Sequence, residues 1–187
     1  MVLSLQSLFG ALIFILPAYI ANAVPVVLGG GTPIDLGRKF KDGTRIFGDG
    51  KTIRGFLVGV LGGAVAGYVL GLILPGTAYA FFASASMPFA SAPLQYALCG
   101  LLLGFGTMLG DLAGSFIKRR LKMERGQSSI IMDQLFFMFF ALAFALPLMP
   151  TNIYTFENIA FLVCVTYIAH IGSNFVANRL GLKKVPW

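Results

Sequence analysis

The run GFLVGVLGGAVAGYVLGLIL, residues 55–74, holds no Asp, Glu, Lys or Arg and is long enough by itself to cross a bilayer, which takes roughly 20 mostly apolar residues in a helix. Working outward from it, charge is also absent from residues 1–34, from 75 on to 110, from 134–156 and from 158–178. The stretch 55–110 has room for two spans and each of the others for one. The expectation is an all-α integral membrane protein with five transmembrane helices, at about 5–28, 55–75, 92–112, 130–149 and 157–178, forming a single domain over 1–187.

All fourteen Lys and Arg residues lie in three clusters, Arg38–Arg54, Lys118–Arg125 and Arg179–Lys184. With five spans, loops alternate sides and the three clusters fall on the same side. By the positive-inside rule that side is the cytoplasm, which puts the N-terminus outside and the C-terminus inside. The cytoplasmic segments are then about 30–54, 113–129 and 179–187. The opposite segments, near 75–92 and 150–156, carry no Lys or Arg. The first span lacks a basic leader, so it reads as a retained helix rather than a cleaved signal.

Composition excludes a water-soluble domain, since 57% of the chain is hydrophobic and 11% charged, too little polar surface to face water. A net charge of +7 suits the anionic inner leaflet, and nucleic acid is not expected as a partner. Cys99 and Cys164 fall inside predicted spans and read as reduced packing residues.

Gly55, Gly59, Gly63, Gly67 and Gly71 recur every fourth residue, and Gly106, Gly110 and Gly114 repeat the pattern. Such faces let helix backbones approach closely where no hydrophobic force drives association. They could pair within one chain or between two, so a homodimer stays open.

Two segments on the basic side carry chemistry. The first, residues 29–55, is glycine-rich, so its amides can converge on an anion, with Lys51 and Arg54 supplying charge for phosphate. Gly50-Lys51-Thr52 is not a P-loop, because Arg45 stands where that motif needs glycine. The alternative is a solvated loop whose charges only orient the protein. In the second, Asp111, Ser115, Lys118 and Arg119 fall at i, i+4, i+7 and i+8 of a helix continuing the third span, a single face. An acid at a membrane boundary is costly and points to function. Asp133, opening the fourth span, lies at a similar depth. Two carboxylates among cations suit Mg²⁺, which takes oxygen ligands and usually binds one or two carboxylates plus substrate phosphates. An N-cap role for Asp133 is the alternative. His170, mid-span, reads as a bundle hydrogen-bonding residue. Asn174 and Asn178 could face the site or satisfy helix-end carbonyls.

These motifs together resemble the CDP-archaeol synthase family, which is similar to the CDP-diacylglycerol synthases. The resemblance is carried by Gly31-Thr-Pro-Ile-Asp35, Phe47-Gly-Asp-Gly-Lys-Thr-Ile-Arg-Gly55, Gly110-Asp-Leu-Ala-Gly-Ser-Phe-Ile-Lys-Arg-Arg120, Asp133-Gln-Leu135 and Leu180-Gly-Leu-Lys-Lys-Val-Pro-Trp187. It implies Mg²⁺-dependent transfer of CMP from CTP to an unsaturated archaetidic acid, digeranylgeranylglyceryl phosphate, with release of pyrophosphate. Ser115, Lys118 and Arg119 match the family's Ser-x-x-Lys-Arg, and Asp133 the leading acid of its Asp-Arg-x-Asp. Gln134 is a variant there, and Phe136 stands where an acid is expected. The implied assignment has Asp111, Asp133 and Lys118 catalytic, with the two acids on the metal. Lys51, Thr52, Arg54, Ser115, Arg119, Asp49 and Asn178 would bind nucleotide and phosphate, in a multi-pass cell-membrane enzyme whose site faces the cytoplasm. From a different class, a small transporter with a basic anion-binding vestibule on the cytoplasmic side is the alternative. The uncharged middles of all five predicted spans speak against it, because transporters usually place such features at mid-membrane.

Overall fold

In a computed structural model of the chain, the described residues are 5–74, 92–123, 129–148 and 154–181. They form five helices, α1 (Leu5–Leu28), α2 (Ile53–Ile73), α3 (Ala92–Arg120), α4 (Phe136–Ala145) and α5 (Phe156–Arg179). A π-helical turn, Ile130–Leu135, leads into α4, and a short 3-10 turn, Leu146–Leu148, closes it. Among the described residues there is no strand, only two isolated bridges in the first loop, Pro33 with Thr52 and Lys39 with Arg45. Most of the two expected outer segments, Arg125 of the second basic cluster, the Gln134 and His170 side chains and the Lys183–Trp187 end lie outside the described residues.

Helices α1, α2, α3 and α5 are each long and apolar enough to cross a membrane, whereas the apolar helix Phe136–Leu148 is shorter. One expected helix extension is met, and two sequence readings shift. The third helix runs past the span end at 112 to Arg120, as expected of a helix continuing that span, because nothing in Ala113–Arg120 breaks it and Lys118, Arg119 and Arg120 complement the negative end of its dipole. Its 29 residues extend about 43 Å, beyond a hydrocarbon core of about 30 Å, so its basic end projects past the apolar layer. The fourth expected span is divided into a π turn and a short α-helix. Asp133 sits inside that π turn, so it does not cap α4, whose N-cap position is Leu135 without a side-chain bond.

Helix α3 is central and packs against α1, α2 and α4, while α5 packs on α1 and on the π turn. Glycine makes the two closest seams. A Cβ placed on Gly63 would lie 2.5 Å from the Gly100 carbonyl oxygen of α3, and one on Gly110 would lie 2.6 Å from the Phe136 carbonyl oxygen. Neither position admits a side chain without moving backbone. The stripe read from the sequence therefore does pack as expected, with Gly100 and Gly104 as the α3 counterpart. The apolar core gathers Phe14 and Ile15 of α1, Leu103 of α3, Met138 of α4 and Leu162 of α5. Cys99 is buried there, but Cys164 lies on the outer surface rather than in packing. Buried polar pairs tie α5 to α1, with Asn158 bonded to Ser7 at 2.8 Å and Tyr19 within 2.7 Å of Thr166. In an apolar layer such pairs satisfy groups that water cannot reach.

Candidate active site

The first loop is a folded unit rather than a solvated tether. Glycines with positive φ at 30, 31, 37, 43 and 48 supply turns that side chains would strain. Two backbone bonds, Ile34 N–H to Lys51 O at 2.8 Å and Ile53 N–H to Thr32 O at 3.0 Å, close the loop at its base. Its centre is Asp35, whose side chain is wholly buried. The Arg45 guanidinium donates to both Asp35 oxygens, at 2.5 and 3.2 Å. The amides of Phe47, Gly48 and Gly37 donate to the same carboxylate at 3.0, 2.9 and 3.2 Å. Arg45 above all, with these amides assisting against the opposing effect of burial, holds the Asp35 carboxyl well below the usual carboxylate range. Arg45 also grips Asp49 at 2.7 Å. The loop ends at Thr52, whose hydroxyl accepts from Gly55 N–H at 3.0 Å and caps α2, so Lys51 is delivered by a fixed backbone.

Two lysine–carboxylate pairs then stand on α3. Lys51 Nζ lies 2.5 Å from Asp111 Oδ2, joining the loop to the helix. Lys118 Nζ donates to both oxygens of Asp133, at 2.7 and 2.9 Å, and the Ser129 amide adds a third bond at 2.9 Å. Gly114 meets Met132 and Gly110 meets Phe136 and Phe137 in direct contact. Asp111 and Asp133 therefore lie in the same band of the bundle on adjacent elements. A small cleft of about 30 Å³ beside Lys51 and Asp111 is lined also by Gly50, Thr52, Met108 and Leu112. That volume fits an ion or one or two waters and is too small for a nucleotide.

At the end of α3, the Arg120 guanidinium lies between two rings, 4.6 Å from the centroid of Phe40 and 4.8 Å from that of Phe116. It donates to Thr44 Oγ1 at 2.5 Å and to the Arg45 carbonyl at 2.6 Å, and its Nε lies 3.0 Å from Asp42 Oδ2. Thr44 in turn donates to Asp42 through both its amide and its hydroxyl, at 3.0 and 2.9 Å.

Of the residues singled out in the sequence, Lys51 is paired with Asp111 and Lys118 with Asp133, the two pairs standing about two turns apart on α3, and Thr52 follows Lys51 at the base of the first loop. Ser115 and Arg119 are half-buried on the same part of α3, and Arg54 is exposed on the first turn of α2. Asp49 turns back to Arg45, and the Thr52 hydroxyl is taken up in capping. Asn178 is half-buried near the end of α5, the helix that packs on the π turn. Asp35, Arg45 and Arg120 were not singled out. An acid inside a basic, glycine-rich segment needs a cationic partner, and that mismatch was the available signal for Asp35.

Asp111 and Asp133 are the carboxylates that would hold a magnesium ion, and each is held here by a lysine. Asp111 gives one oxygen to Lys51, and its other has no partner among the described residues. No group of three acidic, histidine or cysteine side chains gathers there among the described residues. Two carboxylate donors suit an ion that draws its remaining ligands from phosphate and water.

A family model described as CarS-like, CDP-archaeol synthase, matches residues 4–187. The chain belongs to the CDP-archaeol synthase family. The CDP-archaeol synthase of Thermococcus gammatolerans is 47% identical over 98% of this chain and 99% of its own length. That of Pyrococcus horikoshii is 44% identical over 99% and 100%, and that of Archaeoglobus fulgidus 45% identical over 92% and 94%. A solved structure, described as an intramembrane enzyme for archaeal membrane lipid biosynthesis, superposes with a TM-score of 0.72 at 38% identity, covering 88% of this chain and 92% of its own. The chain is thus a multi-pass membrane enzyme, a nucleotidyltransferase of lipid biosynthesis.

Proposed function

We propose that this chain transfers CMP from CTP to the phosphate of an unsaturated archaetidic acid, giving CDP-archaeol and pyrophosphate, at the cytoplasmic face of five membrane spans with the N-terminus outside. Full-length likeness to synthases of that name supports the substrate pair. Positive charge confined to one end of the bundle supports the orientation. The observation that carries the site assignment is the presence of two lysine–carboxylate pairs, Lys51 with Asp111 and Lys118 with Asp133, that share α3 at that end.

In the reaction, an oxygen of the lipid phosphate bonds to the α-phosphorus of CTP while the bond from that phosphorus to the bridging oxygen breaks. The electron pair leaves with pyrophosphate. The attacking phosphate is already anionic at neutral pH, so no general base is required, and the protein acts through position and charge. Asp111 and Asp133 would hold Mg²⁺, which supplies charge neutralisation on the phosphate oxygens. Lys51 and Lys118 neutralise the triphosphate and the departing pyrophosphate. Arg54 and Arg119 add field at the rim, and Thr52, Ser115, Asp49 and Asn178 line the approach of nucleotide and lipid head.

Purified protein supplied with labelled CTP, Mg²⁺ and an ether-linked isoprenoid lipid phosphate should yield label in the organic phase, and chelation of the metal should stop it. Accumulation of CTP in vesicles without covalent product would instead show transport. Equal rates with ester-linked acyl lipid would remove the proposed lipid preference.

A further inference from the structure

Arg120 ties the end of α3 to the first loop, and none of its contacts among the described residues is to an acid of the proposed site. Its guanidinium fills the gap between Phe40, on the first loop, and Phe116, on α3. Its two shortest bonds run to Thr44 and to the carbonyl of Arg45. Those partners lie within the hairpin closed by Phe40 N–H to Thr44 O at 2.8 Å and Ile46 N–H to Arg38 O at 3.2 Å. Arg45 is in turn fixed to Asp35, whose carboxylate also binds the Phe47 and Gly48 amides. Three residues after Gly48, the same rigid loop presents Lys51 to Asp111.

We propose that Arg120 is a positioning residue for the transfer reaction, a clamp that seats the first loop on α3 and thereby sets where Lys51 stands relative to Asp111. This rests on the assignment of Lys51 and Asp111 to the active site. Two alignment points are needed because the loop is joined covalently only to α1 and α2. Lys51 alone is a flexible side chain on a single contact, whereas Arg120 offers a planar, stacked and multiply bonded anchor on the helix that bears Asp111. A planar guanidinium makes this set of contacts and an ammonium does not.

Loosening the loop displaces Lys51 without deleting it, and misplacements on the order of 1 Å cost about a hundredfold in rate. Arg120→Ala in the full-length chain should therefore lower kcat by roughly tenfold to a hundredfold with a much smaller change in the KM of the lipid phosphate. Arg120→Lys should recover little of it. Free guanidinium ion, which fits the slot left between the two rings, should restore part of the lost rate in Arg120→Ala and none in Lys51→Ala. Combining Arg120→Ala with Lys51→Ala should give no more than the loss of Lys51→Ala alone. Wild-type kcat in Arg120→Ala, full recovery in Arg120→Lys, no response to guanidinium or losses that simply multiply each overturn the proposal. Lys51→Ala at wild-type rate overturns the site assignment and the clamp with it, so the two failures are distinguishable. If Arg120→Ala does not fold, Phe40→Leu, which removes one ring of the sandwich, should show the same fall in kcat, and an unchanged rate there overturns the clamp.

Discussion

Lys51 and Asp111 are 60 residues apart in the chain, and their side chains meet at 2.5 Å, a direct ionic link between the glycine-rich loop and the central helix. Both are partly open to water, with side-chain exposures of 26% and 36%. An ion pair so placed adds little to stability, about 0–1 kcal/mol. On the proposed function, its worth lies in keeping a cation and a carboxylate together for the phosphates of the substrates.

Asp111→Asn should lower kcat by about a hundredfold or more, the scale of losing one preorganised charge-stabilising group, while the thermal midpoint in detergent moves by only a few degrees. The check is turnover of labelled CTP alongside a melting curve. Activity near wild type would remove Asp111 from the site.

Lys118 is only 13% exposed and grips both oxygens of Asp133. Lys118→Ala leaves that carboxylate with the Ser129 amide and frees it to repel incoming phosphate. The KM for CTP should rise, or kcat fall, by roughly tenfold, measured under initial-rate conditions and read as lost binding or lost transition-state stabilisation. Unchanged constants would leave Lys118 an orienting charge.

Asp35 has a carboxyl held below its ordinary value of 3.8, chiefly by Arg45. A depressed folded-state pKa contributes stability that is complete above the unfolded value and is lost as pH falls through the folded one. The loop should thus keep its structure unchanged from neutral pH down to about 4 and loosen only below that. Hydrogen exchange at the Phe47 and Gly48 amides would report it. Asp35→Asn, which breaks a buried pair worth about 3–5 kcal/mol on removal of one partner, should expose both amides already at neutral pH. Protection surviving in that variant would show that the turns hold the loop unaided.

Gly63→Val places side-chain atoms against the Gly100 carbonyl and the Gly104 backbone. Overpacking of this kind costs about 1–3 kcal/mol, and the loss should appear as a lower unfolding midpoint in detergent. Val at Gly172, where an added Cβ meets nothing within 4 Å, should be nearly silent. Equal stability of the two variants would mean that α2 and α3 do not meet on their backbones.

Charge-free runs placed α1 to the residue and α5 within one, since both are uninterrupted apolar helices bounded by charge or turn residues. The run of α3 past its apolar part was legible in the face shared by Asp111, Ser115, Lys118 and Arg119, since Lys118, Arg119 and Arg120 mark where the apolar layer stops, not where the helix stops. The π turn escaped notice because apolar composition is indifferent to whether a helix turns in 3.6 residues or more. Of the site, Asp111, Lys118 and Asp133 could be read from helix spacing and from the cost of acids near a membrane. Which cation holds Asp35, and the Arg120 sandwich, could not. They arise from a loop without periodicity folding back over ten residues in one case and 80 in the other.

The glycine seam between α2 and α3 reaches further than packing. Lys51 precedes α2 by two residues and Asp111 lies within α3, so the bare backbones pressed together at Gly63 and Gly100 form a gauge block for both. Depth in the apolar layer, where no chemistry occurs, sets the calibration of the charged gap at its rim.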